Sequence, residues 1–161
     1  MCTYIQFSGA HTFGRAQCFT FSNRLYNFTG VGDKDPDLNE TLAVKLREIC
    51  PNITFNNLTD FDHTTPNAFD NSYFKNLQVK EGLLQSDQIL FSHGADTVEI
   101  VNAFSSNQSA FFESFVESMI RMANISPLTG SAGEVRLNCR VTNANISSTS
   151  DSADARLVSS I

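Results

Sequence analysis

The sequence predicts a mainly α-helical chain with at most a small β-hairpin. Apolar residues recur at helical spacing in several separate segments. No β-rich stretch is long enough to build a sheet-based domain. Size agrees with a single domain: 161 residues and 17.8 kDa, with 41% apolar and 11% aromatic residues. A domain of this length buries about 68–70% of its unfolded surface, so its core does not depend on metal or disulfide staples.

The first strong helix is predicted over 38–49, where Leu38, Leu42, Leu46 and Ile49 keep helical spacing. Asp35-Pro36-Asp37 offers a start, with proline near the first turn and acids at the positive end of the dipole. Further helices are predicted over 69–79 and 97–104. The clearest covers 109–123, with Phe112, Phe115, Val116, Met119, Ile120 and Ala123 on one stripe. Arg121 suits its negative end, and Asn124 with Pro127 stops it. Residues 129–133 look like a turn leading into a short strand over 134–137. Beyond Val141 the composition shifts to Ser, Thr, Asn, Asp and Ala, which predicts a disordered tail over 141–161. There is no internal repeat.

Charge excludes some function classes. The net charge is −6, so the chain is a poor ligand for nucleic acid or an anionic membrane surface. No apolar run approaches 18 residues. Asn and Ser (15 and 18 residues) fill the polar surface instead of charge, and seven N-x-[ST] sequons stand at Asn27, Asn39, Asn52, Asn57, Asn107, Asn124 and Asn145. Glycosylation requires the secretory route, so the chain reads as a secreted glycoprotein. The four cysteines, Cys2, Cys18, Cys50 and Cys139, match no zinc spacing; an even number in such a chain points to disulfides. Residues 1–11 have neither a basic n-region nor an apolar h-region, so no signal peptide is read there. The expectation is a piece of a longer secreted protein.

Two segments could carry chemistry. In Ser8-Gly9-Ala10-His11-Thr12-Phe13-Gly14 a histidine lies between glycines in an apolar, aromatic setting. Small neighbours let a flat hydrophobic ligand approach the imidazole; a hydrogen-bonded core histidine is the plainer alternative. A Ser-His-Asp hydrolase is disfavoured, since no G-x-S-x-G elbow exists. The second segment, residues 60–70, groups Asp60, Asp62, His63, Thr64, Thr65 and Asp70. Carboxylates, hydroxyls and carbonyls are hard ligands that suit Ca²⁺, but the spacing is not that of an EF-hand. A polar loop capping the next helix is the alternative.

Taken in order, these segments resemble a known family. Ser8-Gly9-Ala10-His11-Thr12-Phe13-Gly14-Arg15, Cys18 and Arg24-Leu25-Tyr26-Asn27 are followed by Asp60-Phe61-Asp62, Thr65-Pro66 and Phe69-Asp70-Asn71-Ser72-Tyr73-Phe74. Then come Gly82-Leu83-Leu84-Gln85-Ser86-Asp87-Gln88, Ile125-Ser126-Pro127-Leu128-Thr129-Gly130 and Arg136-Leu137-Asn138-Cys139-Arg140. The set resembles the C-terminal, proximal half of the plant secretory (class III) haem peroxidases over about residues 8–140. The resemblance implies a domain over 1–140 and the helical lobe of that fold. It implies haem b, with His11 as the iron ligand, Asp87 accepting the other ring N–H of that histidine, and Phe61 packing beside the imidazole. It implies Ca²⁺ held by Thr12, Asp62, Thr65, Asp70 and the Ala68 carbonyl, and a Cys18–Cys50 disulfide. Cys139 matches a disulfide cysteine whose family partner is not in this chain; a bridge to Cys2 stays open.

The implied activity is reduction of hydrogen peroxide coupled to oxidation of small phenolic donors, by a monomeric protein that is secreted or vacuolar. No segment resembles the family's distal half, with its acid–base histidine and charge-stabilising arginine, and neither His63 nor His93 lies in such a motif; both are expected to be solvated. The chain is therefore expected to hold no distal catalytic residue and to show no substantial turnover alone. The competing class is a non-catalytic secreted fragment that binds calcium or haem. The tail over 141–161 could serve as a sorting address.

Overall fold

A computed structural model describes residues 3–51 and 56–144. The chain divides into two compact units, Met1–Arg121 and Met122–Ile161. The fold is mainly α-helical, as predicted, with seven helices among the described residues.

In the first unit the order is α1 (Thr3–Ser8), a 3₁₀ turn at Gly9–Thr12, β1 (Arg15–Gln17), a 3₁₀ turn at Cys18–Thr20, then α2 (Ser22–Tyr26) and α3 (Glu40–Ile49). β2 (Leu58–Asp60), α4 (Ser72–Gln78), α5 (Gln85–Ser92), α6 (Ala95–Ser106) and α7 (Gln108–Ala123) follow. β1 and β2 pair antiparallel, with Arg15 opposite Asp60 and Gln17 opposite Leu58. The pair joins segments about 40 residues apart, so it is not a local hairpin, and nothing in the local pattern foretold it.

Asp35-Pro36-Asp37 does not start the third helix. Asn39 does: its side chain accepts from the Thr41 and Leu42 N–H groups, an N-cap of the usual kind. Asp35 is instead buried against Arg24, whose Nε donates to it at 2.7 Å. The same guanidinium donates to the carbonyls of Gly82, Leu83 and Asp37. One side chain thus joins α2, the loop before α3 and the loop before α5.

Two apolar cores form in this unit. One gathers Phe21, Leu25, Leu42, Leu46 and Leu83 around the Cys18–Cys50 disulfide. The other gathers Ile5, Tyr73, Phe74, Val101, Phe104 and Phe111.

α7 corrects the expected stripe. Phe111 and Ser118 face inward, and Phe112 and Phe115 pack only partly against the core. Val116 and Ile120 are each 57% exposed. An apolar arc wider than the core contact has the same period whichever edge is buried. The choice is made by tertiary partners: Phe111 stacks into the Phe69/Phe74/Phe104 cluster, and Ser118 Oγ donates to Gln6 of α1.

In the second unit a 3₁₀ turn at Gly130–Ala132 follows the end of α7. No strand forms over 134–137. The Asn143 side chain takes up the backbone groups a strand partner would use, accepting from Leu137 N–H and donating to the Val135 carbonyl. Of the tail predicted over 141–161, residues 145–161 lie outside the described residues. So do Cys2, Asn52 and Asn145. Cys139 is exposed and has no disulfide partner among the described residues. No helix among the described residues is long and apolar enough to cross a membrane.

Candidate functional site

Local chemistry explains why the His11 segment is held so closely. α1 runs into the 3₁₀ turn at Gly9–Thr12, which carries His11 and is packed against the aromatic core. A Cβ on Gly9 would lie 2.5 Å from a ring carbon of Phe111 and 3.0 Å from Phe74. Glycine is needed there for close approach. Gly14 adopts φ +102°, the left-handed region open to glycine, and turns the chain into β1. Strand pairing continues beyond β1, since Phe61 N–H donates to the Gly14 carbonyl at 3.0 Å. The turn therefore sets His11 and Thr12 beside Phe61 and Asp62.

Gly9→Ala is expected to cost roughly 1–3 kcal/mol, the range for overpacking a filled core. A urea titration checks it. An unchanged midpoint would mean that Phe111 gives way freely.

His11 meets three side chains. Its Nδ1 lies 3.1 Å from both carboxylate oxygens of Asp87, 76 residues on. Its ring stacks on Phe61 with centroids 4.1 Å apart and planes within 5°. The Tyr73 ring stands edge-on at 6.3 Å. Asp87 is only 2% exposed and sits in the first turn of α5, where the helix dipole favours a negative charge. Gln88 anchors that turn: it donates to the Leu77 carbonyl and accepts from Gly82 N–H. A carboxylate on Nδ1 fixes the ring tautomer with the proton on that nitrogen and leaves the Nε2 lone pair for a ligand. Nε2 has no hydrogen-bond partner among the described residues, and the side chain is 33% exposed.

The oxygen-rich loop converges on buried Thr12. Its hydroxyl lies 3.4 Å from Asp62 Oδ2 and 3.4 Å from Asp70 Oδ1. Thr65 Oγ1 reaches Asp62 Oδ2 at 3.2 Å. Asp62 divides its two oxygens. Oδ1 accepts from the N–H groups of Thr64 and Thr65 and from Asn76 Nδ2, while Oδ2 meets hydroxyls alone. Burial pushes the Asp70 carboxyl up, but the Ser72 backbone and side chain, then the Thr65 and Thr12 hydroxyls, outweigh it and hold Asp70 below its ordinary value. Two anions thus approach the same hydroxyl. Ala68 lies within this loop, its N–H on the Thr65 carbonyl. Among the described residues no three His, Cys, Asp or Glu side chains cluster as a metal site; the set here is two carboxylates with hydroxyls.

His63 and His93 are exposed but not free: His63 pairs with Glu81 at 3.0 Å and His93 with Asp37 at 2.9 Å. Sequence reasoning missed the place of Asn76, Tyr73 and Arg24, since each acts through partners distant in the chain. Four of the sequon asparagines, Asn27, Asn57, Asn107 and Asn124, are exposed.

The peroxidase family model matches residues 4–107. Peroxidase 54 of Arabidopsis thaliana is 57% identical over 157 residues, which cover 96% of this chain and 44% of that protein. Peroxidase 15 of Ipomoea batatas is 62% identical over 138 residues, covering 84% and 42%. Peroxidase 22 of Arabidopsis thaliana is 54% identical over 144 residues, covering 88% and 41%. The chain thus spans less than half the length of these curated relatives.

Proposed function

Since this chain belongs to the peroxidase family, whose members use haem, we propose that it supplies the iron-binding side of a haem peroxidase. The observation that carries this reading is His11, with Nδ1 engaged by buried Asp87 and Nε2 unpartnered. In this reading Nε2 would be the atom that holds the haem iron. The bound group is haem b, in keeping with the lack of any C-x-x-C-H attachment pattern in this chain. When bound, haem supplies the two-electron reduction of hydrogen peroxide and the one-electron oxidation of small phenolic donors.

The chain's own residues do the rest. Asp87 holds the proton on His11 Nδ1 and lends the imidazole anionic character, which raises its strength as a donor. Phe61 fixes the ring plane and keeps water from that face. The second ion is Ca²⁺, held by Thr12, Asp62, Thr65, Asp70 and the Ala68 carbonyl. What supports it is the pair of carboxylates facing Thr12: Asp62 Oδ2 meets hydroxyls alone, and Asp70 Oδ1 takes a single N–H, from Ser72. Because Thr12 follows His11 directly, the ion would tie the ligand segment to the loop. The exposed sequons and the plant relatives support a secreted or vacuolar protein.

Haem titration of the purified chain tests the reading. A saturable Soret shift is expected, with loss of that shift in His11→Ala. Equal spectra for the two proteins would remove His11 as the ligand.

A further inference from the structure

Asp87 and Tyr73 present a mismatch that the proposed ligand set does not use. Asp87 is buried, yet among the described residues its carboxylate accepts only from His11 Nδ1. That single N–H is shared evenly between two oxygens at 3.1 Å, a three-centre arrangement weaker per oxygen than one in-line bond. An ionised carboxylate has acceptor sites for several donors, and a buried one can take two or three. Tyr73 has the opposite deficit. It is 3% exposed, its ring stands against His11, and its hydroxyl is the one buried side-chain polar atom without a partner among the described residues. A buried hydroxyl left unpaired is costly, so each group lacks what the other offers.

We propose that Tyr73 is a positioning residue, resting on the His11 reading above: its hydroxyl is the second donor to Asp87 and draws off part of the carboxylate charge that otherwise falls on His11. The phenol is always available as a donor. Burial, then the negative charge of Asp87, pushes its ionisation well above the usual range. Ser8 is the rival partner for this hydroxyl, but its own hydroxyl already donates to the Tyr4 carbonyl at 3.1 Å. Tyr73 touches neither iron nor substrate in this account. It sets how much anionic character the His11 imidazole receives.

The test reads the His11 Nδ1 proton by NMR in the full chain without haem. Tyr73→Phe keeps the ring and removes the donor. The Asp87 charge then falls on one bond, and the Nδ1 proton is expected to move downfield. A fluorinated tyrosine placed at 73, a stronger donor, is expected to move it upfield, and so tests the idea if the phenylalanine variant does not fold. Ser8→Ala is expected to leave the proton in place. In the haem-loaded chain the ferrous iron–imidazole stretching frequency should rise in Tyr73→Phe. An Nδ1 proton that stays put or moves upfield in Tyr73→Phe overturns the proposal, as does an equal shift in Ser8→Ala. A wild-type chain that binds no haem would sink the ligand reading while leaving the NMR comparison intact.

Discussion

Arg24→Ala is expected to lower the unfolding free energy by about 3–5 kcal/mol, the range for removing one partner of a buried ion pair. Arg24 is fully buried. Its loss leaves the Asp35 charge inside the protein without its 2.7 Å partner. It also leaves the carbonyls of Gly82 and Leu83, reached at 2.6 and 2.8 Å, without that donor. Those carbonyls precede α5, which carries Asp87. The variant should therefore loosen the His11–Asp87 bond as well as the core. Urea denaturation gives the first effect, with the slope unchanged if the transition stays two-state. Amide exchange in α5 gives the second. A loss under about 1 kcal/mol would mean that water replaces the guanidinium.

Asp62→Ala is expected to weaken Ca²⁺ binding by roughly 100-fold or more, since ligand charge count tunes such sites over several decades. The variant removes two things. Oδ2 is the proposed ligand atom, and Oδ1 organises the loop through Thr64, Thr65 and Asn76. Asp62→Asn separates them, because a carbonyl oxygen can still accept at the Oδ1 position while the charge is gone. Asp70→Ala should weaken binding too, with less damage to the loop, because Asp70 accepts only the Ser72 N–H from the backbone. Calorimetry of the chain and the three variants decides. Equal affinities throughout would remove the calcium assignment.

Helices with strong period and clear ends were legible from sequence. That over 109–123 begins one residue earlier, and that over 38–49 begins two residues later, at Glu40. The sequence pattern does not mark the shorter α1, α2 and α5. Segments of five to eight residues do not complete enough turns to show a period, and they fold because neighbouring elements hold them. Val135 and Leu137 alternate as a strand would, yet they stay exposed, with no strand partner among the described residues. Alternation is a necessary pattern for a half-buried strand, not a sufficient one.

Asp87 followed only from the resemblance to the family; by itself the sequence determined the helical class, the ordered motifs that carry that resemblance and the candidate residues His11, Asp62 and Asp70. These are properties of residue type and spacing, which local chemistry expresses wherever the chain goes. Only the tertiary structure decided that Phe111 and not Val116 is the inner edge of α7, that Asp35 serves Arg24, and that the two oxygens of Asp62 face different partners. It alone set the Tyr73 ring edge-on to His11 and left its buried hydroxyl without a partner among the described residues. Such contacts join residues dozens of positions apart. They exist only after β1–β2 pairing and burial of the two cores have brought distant segments together, so no window of sequence contains them.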